Sequence, residues 1–449
     1  VPIFSVFPSA TDRRQEGDAL GAVMDEVTSV ADIVFAFDPA IHRPIAVPTG
    51  APALVADAIA RAAARALHDA AAVAQRSRAS ALVVCGRLLD PSRSSPAQAA
   101  DLRRVITDLA SAECRTIVLA DDPMACHDLV RMLGEPRGLA FVTPSAPLEI
   151  DVRGLRVELV SAHGPAGATV SRPDEDDEAP LLRRIVVGWD HSLWSPQEWL
   201  ADEPYFGTVT RRLTPSASAF AATATASAAW SQPGTFWIWG SRQRQQLPPG
   251  VHFLPALQAR GSHEASMGAC CTLTLLDREA GDDDGLVSPH ADWRASWREV
   301  PTHRVAWRTV TIESATGDDE ELAAALWSAI QQLPRDASSP LELVRCSVAC
   351  GTSVARRVRV GEIAAETLAR LHSLEDATTA RVWCHELTAD PGESLAALGH
   401  DRSGGRPGST TSFSSALADI VTMVEESQTL SAAEAREAGW LALELIESV

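Results

Sequence analysis

The spacing of apolar residues changes along the chain and divides it into regions. "SVADIVFAFDPAIHRPI" (Ser29 to Ile45) opens with a short apolar run and reads as a strand passing into a loop. "APALVADAIARAAARALHDAAAVAQRSRA" has apolar residues every three or four positions and predicts a long Ala-rich helix after Pro48. Ala81 to Cys85 is a second strand bounded by Gly86, Ala99 to Leu109 is helical, and Arg115 to Leu119 is a third strand. This alternation predicts a mainly parallel sheet covered by helices, because parallel neighbours need crossover connections. Ligands of such sheets gather beyond the carboxyl ends of the strands. Those ends are Asp38, Gly86-Arg87 and Ala120-Asp121-Asp122.

After Pro144 the pattern becomes a series of strand-like pieces, "GLRVELVSAHG", "LLRRIVVGWDHS", "GTFWIWGSRQRQQ", "VHFLPALQ" and "ACCTLTLLDRE". Dense strands of this kind predict the second half of a two-sheet sandwich. Thr214 to Trp230 between them reads as one amphipathic helix. A further module follows: strand His303 to Ile312, helix Asp319 to Leu333, strand Leu341 to Ala349, helix Gly361 to Leu371, strand Arg381 to Leu387. It is expected to be a small α+β domain. The implied organisation is a poorly ordered extension over 1–28, a sandwich domain over 29–292, the small domain over 303–390, a linker over 391–412 and a helical tail over 413–449.

With 449 residues, 46% of them hydrophobic, the chain can fill at least one large core, which excludes disorder throughout. Its net charge of -20, from 39 Lys+Arg against 59 Asp+Glu, gives a mean field that repels a phosphate backbone. The acidic runs Asp174 to Glu178 and Asp282 to Asp284 read as solvated loops. None of the eight cysteines forms a C-x-x-C pair, and most sit in apolar stretches, so free thiols and a cytoplasmic location are expected. No apolar run is long enough to predict a membrane span.

Four segments, "ALVVCGRLLDP", "TIVLADDP", "FWIWGSRQRQQ" and "FLPALQARGSHEA", together with the order of elements, resemble the calcineurin-like metallophosphoesterase superfamily, and within it the bacterial DNA-repair exonuclease group. The resemblance implies a two-sheet sandwich flanked by helices, a small C-terminal capping domain, and a pair of divalent metals held by D-x-H, G-D, G-N-H-D, a lone His and G-H-x-H. Those motifs fall on Asp38-Pro39-Ala40, Gly86-Arg87, Leu119-Ala120-Asp121-Asp122, the neighbourhood of His191, and Gly240-Ser241-Arg242-Gln243. Asp38 remains, while Ala40, Arg87, Ala120, Ser241 and Gln243 stand where ligands would be. In the last segment the family features are a Pro, a polar residue and a Glu, and Pro255, Gln258, Arg260 and Glu264 stand there.

A two-metal hydrolase needs anionic or neutral donors around two cations and a bridging oxygen ligand. Arg87 has no lone pair to give. Its repulsion of a dication about 4 Å away is of order 8 kcal/mol at an effective dielectric near 20. The implied site is degenerate, with Arg87 as the cation that neutralises Asp38, Asp121 and Asp122. Two alternatives stay open: a single divalent metal, Mn or similar, on Asp38, Asp122 and His191, and a small anion held between Arg87 and Arg242. The family points to scaffold or binding work beside a coiled-coil repair ATPase, with the divergent alternative a metal-dependent phosphodiesterase or DNA exonuclease; DNA, RNA and nucleotide are not distinguished. Protein purified from manganese-supplemented medium is expected to carry no stoichiometric pair of Mn, Zn or Fe by elemental analysis, and two bound metals per chain would overturn that expectation.

Overall fold

The computed structural model describes residues 30–120, 123–162, 183–189, 235–242, 247, 250–261, 264, 268–276, 294–313, 318–333, 341–349, 354, 357–358, 361–375 and 382–390. In the first sheet β1 (Ile33–Phe37), β2 (Ala81–Cys85), β3 (Arg115–Leu119) and β4 (Leu139–Val142) run parallel in that order. The crossovers contain α1 (Ala53–Arg76), α2 (Pro96–Ser111) and α3 (Pro123–Leu133). The second sheet is β5 (Leu148–Val152), β6 (Leu155–Ser161), β7 (Arg183–Trp189), β8 (Thr235–Ser241) and β9 (Val251–Pro255), again in order. Only its β5/β6 pair is antiparallel. That hairpin turns on Arg153 and Gly154, both at positive φ, as the twist of a two-residue loop demands. β10 (Ala269–Leu276) and β11 (Arg294–Pro301) return to the first sheet and extend it antiparallel beyond β1. The first sheet therefore continues past Asp292, to Pro301.

Side chains alternate across each strand, so β1 serves two cores. Ile33, Phe35 and Phe37 pack with Leu159, Ile185, Val187 and Ile238 between the sheets, and Val34 and Ala36 pack outward under α1 and α2. The result is an α/β architecture with two mixed sheets sharing a core and helices covering the outer face of the first. Ser95 caps α2 in a reciprocal box with Gln98, with Pro96 inside the first turn.

The C-terminal unit differs from the expected α+β module. β12 (Val305–Glu313), β13 (Leu341–Ala349) and β14 (Val382–Asp390) are all parallel, with α4 (Asp319–Gln332) and α5 (Ala364–Glu375) between them. It is a wound βαβαβ unit, because each helix returns the chain to the same end of the sheet before the next strand begins. The helices bury one face. On the other, Val305, Leu341, Leu343 and Trp383 pack against Val55, Ile59 and Ala62 of α1 and Ile45 of the loop after β1. β12 starts at Val305 rather than His303 because the amides of Thr302 and His303 are both spent on the carbonyl of Gly268.

The expected N-terminal extension, the Thr214 to Trp230 helix, the linker and the tail lie outside the described residues. No helix among the described residues is long and apolar enough to cross a membrane. The turn between β9 and β10 packs backbone on backbone: a Cβ added at Gly268 would lie 2.4 Å from the Leu257 carbonyl oxygen and 2.8 Å from the Gln258 Cα. Gly268→Ala should therefore cost roughly 2 to 4 kcal/mol, read as a lower denaturant midpoint with an unchanged slope. A variant as stable as the parent would mean that this turn can yield.

Candidate functional site

The site lies where the carboxyl ends of the two sheets meet. β1 ends at Phe37, and the backbone at once enters left-handed conformations at Asp38 (φ 45) and Ala40 (φ 39), which cost residues bearing a Cβ about 1 kcal/mol or more each. Neighbouring bonds hold this strain. The amides of Asp38, Ala40 and Ile41 donate to the carbonyls of Cys85, Arg87 and Leu88, at 2.9, 2.8 and 3.1 Å, so the loops after β1 and β2 stay paired. Gln98 Nε2 donates to the Ile41 carbonyl at 2.8 Å, tying the loop to the cap of α2. The turn aims the Asp38 carboxylate inward, where its side chain is 0% exposed.

Arg242, the first residue past β8, reaches this carboxylate from the facing sheet. Its Nε and Nη2 donate to Asp38 Oδ2 at 2.7 and 2.5 Å, and its Nη1 donates to Glu264 Oε1 at 2.6 Å. Its side chain is 8% exposed. Arg87 contributes a looser contact, with Nε and Nη2 at 3.4 and 3.5 Å from the two Asp38 oxygens and 12% exposure. Glu264 Oε2 accepts the backbone amide of Arg260 at 3.0 Å. The Arg260 guanidinium donates to the carbonyls of Pro39, Ala40 and Arg43 at 3.1, 2.8 and 2.5 Å. Carbonyl oxygens, rather than acids, are its direct partners.

The electrostatics follow from this inventory. Burial by itself raises the pKa of Asp38, but the guanidiniums of Arg242, Arg87 and Arg260 and the hydrogen bond from Arg242 outweigh it and hold the carboxyl at about 2. Burial disfavours the charge on Arg242, and Asp38 and Glu264 more than restore it, so its pKa lies above the ordinary arginine value. Arg260 goes the other way, to about 9, through burial and the like charge of Arg242. It still carries its proton at neutral pH. His42 falls to about 4, chiefly by burial and further by Arg260 and Arg87. Its Nδ1 accepts the Asp90 amide at 3.1 Å, which places the ring proton of the neutral form on Nε2.

Arg87 contacts Asp38 as expected, but it shares that carboxylate with Arg242, while Asp121 and Asp122 lie outside the described residues. The cation closest to Asp38 is Arg242, which reaches it from the facing sheet at 2.5 to 2.7 Å, whereas Arg87, in the loop after β2, stays at 3.4 to 3.5 Å. Arg242 is also turned toward two acids, which leaves it unsuited to share a small anion with Arg87. Ala40 and Ser241 are fully buried beside the cluster, and Ala120 is half-buried at the end of β3. Asp121, Asp122, His191 and Gln243 lie outside the described residues. Among the described residues no group of three or more His, Cys, Asp or Glu is placed to hold a metal ion. The local signal for Arg242 was a cation just after the apolar run Phe236–Trp239.

Arg242→Ala should strand two buried carboxylates and cost about 3 to 5 kcal/mol near neutral pH, against about 1 kcal/mol for Arg87→Ala. Denaturant melts rank the two, and the opposite order would return the central role to Arg87. The shift of Asp38 from 3.8 to about 2 stabilises the fold by about 2 kcal/mol. That contribution is complete above pH 3.8 and is lost as pH falls toward 2, because the unfolded chain takes up the proton first. Asp38→Asn should flatten the stability profile in this window, and an unchanged acid limb would show that other carboxyls set it. In comparisons with known proteins, no family model matches this chain and no curated protein matches it in sequence.

Proposed function

We propose that this chain is a non-catalytic, metallophosphoesterase-like protein, related to the DNA-repair exonucleases, that works as a scaffold or binding module. The observation that carries the reading is the Arg242 fork on Asp38, a fixed monovalent cation bonded to the one carboxylate among the described residues that matches a metal ligand of that family. Two facing sheets whose strand ends converge on the cluster suit a metallophosphoesterase-like sandwich, and the wound unit docked on α1 suits a capping domain.

The residues present do not fit a binuclear metal centre. Such a centre needs a bridging oxygen ligand and several imidazoles or carboxylates around two cations. Here the corresponding positions offer a methyl group at Ala40 and at Ala120, a guanidinium at Arg87 and a hydroxyl at Ser241. His42 does not replace the missing imidazole of the first motif, since its Nδ1 accepts the Asp90 amide and the ring lies among Arg260 and Arg87. The buried thiols of Cys270 and Cys271 are pushed far up by burial, which makes them poor nucleophiles; that neither is in a disulfide suits a reducing compartment such as the cytoplasm. By family analogy the partner is a coiled-coil repair ATPase.

Turnover decides the matter. With Mn, the wild type and Asp38→Ala should both hydrolyse an activated phosphodiester and single- and double-stranded DNA no faster than the buffer blank. Robust metal-dependent hydrolysis in the wild type, abolished by changing Asp38 or Asp122, would replace this reading with a rebuilt mononuclear site.

A further inference from the structure

Two loops leave the charge cluster, and both end in the contact between the sandwich and the small domain. The first runs from Asp38 to Ile45. Arg260 grips its carbonyls at Pro39, Ala40 and Arg43, and Ile45 then inserts among Val305, Leu341, Leu343 and Trp383. The second runs from Ala256 to Arg260. Leu257 donates its amide to Phe37 and accepts the hydroxyl of Thr302, which ties the two sheets to the chain entering the small domain. Gln258 comes next and is 1% exposed. Its Oε1 accepts the amides of Arg304 and Val305 at 2.7 and 3.3 Å, and its Nε2 donates to the Val305 carbonyl at 2.8 Å. The Ala259 carbonyl accepts the indole N–H of Trp307 at 3.3 Å. Glu264 closes the circuit by holding the Arg260 amide with one oxygen and Arg242 with the other.

We infer that the cluster is a latch: Asp38, Arg242, Glu264 and Arg260 fix the two loops, the loops fix the small domain, and a change at any of these charges is relayed to the start of β12. This inference stands apart from the absence or presence of catalysis. The physical basis is that a buried charge network has few alternative arrangements. Losing one member leaves a charge or a set of carbonyls unpaired, so the loops must move with it. Arg304 adds a bidentate pair with Asp69 of α1, outside the circuit. The small domain therefore stays attached while its docking changes.

Site-resolved amide hydrogen exchange on the full chain tests this. Arg260→Met keeps the stem of a partly buried side chain and removes the grip on three carbonyls; Glu264→Gln loosens the Arg260 amide and Arg242 together; Gln258→Leu breaks the last link directly. In all three, exchange at the Arg304 and Val305 amides should rise by about tenfold or more while Leu82, Val83 and Val84 in β2 keep their protection. If only Gln258→Leu raised exchange, the relay from the cluster would be disproved. An equal rise in β2 and β12 would mean general loss of stability and would overturn the latch as well, and so would no rise in any variant.

Discussion

Asp38 and Arg242 meet where the two sheets run out of shared apolar core, and their contact is the constraint around which the strand-end region is built. Placing both charges where water is excluded costs several kcal/mol, which their attraction recovers only if the geometry is good and the remaining donors are satisfied. The fork supplies two bonds to Asp38 and one to Glu264. Such a pair adds little net stability, but it makes one arrangement of the surrounding loops far better than any other. The left-handed turns at Asp38 and Ala40 persist on that account. Close approach is built into the same place: a Cβ on Gly240 would meet the Phe37 ring at 2.7 Å, so β8 lies directly on the last residue of β1 and delivers Arg242 within reach.

The cluster among the described residues holds three guanidiniums, Arg87, Arg242 and Arg260, against the two carboxylates of Asp38 and Glu264. The imbalance is absorbed unevenly. Arg242 takes the acids and gains basicity, while Arg260 leans on carbonyl oxygens and loses it. Carbonyl dipoles compensate a cation less fully than an ionised partner does. This division of labour explains how one cation can bind the acids and another can bind the backbone of the loop that carries one of them.

In open α/β sheets the crevice beyond the strand ends is where ligands are received. Here the described part of that crevice is occupied by the protein's own ion pairs, and the groups that could recognise a ligand are turned on one another. Fixing loops and receiving a substrate make opposite demands on the same side chains. The small domain packs on α1 and is hydrogen-bonded to the loop that carries Arg260.

Much of the architecture was readable in local order. β1, β2 and β3, the long helix α1 and the helix α2 follow from period and from punctuation by Gly and Pro, because burial of one face acts on neighbours in the chain. Asp38 and Arg87 were recognisable as strand-end residues for the same reason. The choice of Arg242 over Arg87 was not readable. The two cations look alike in sequence, and 204 residues separate Arg242 from Asp38; their close contact exists only once two sheets with a given register face each other. The parallel winding of the small domain and the return of β11 to the first sheet are likewise long-range. Sequence by itself determined which segments become strands and helices, since that depends on local periodicity; tertiary structure decided which charge answers which, since the Coulomb attraction and the hydrogen-bond fork depend on distance and direction in space.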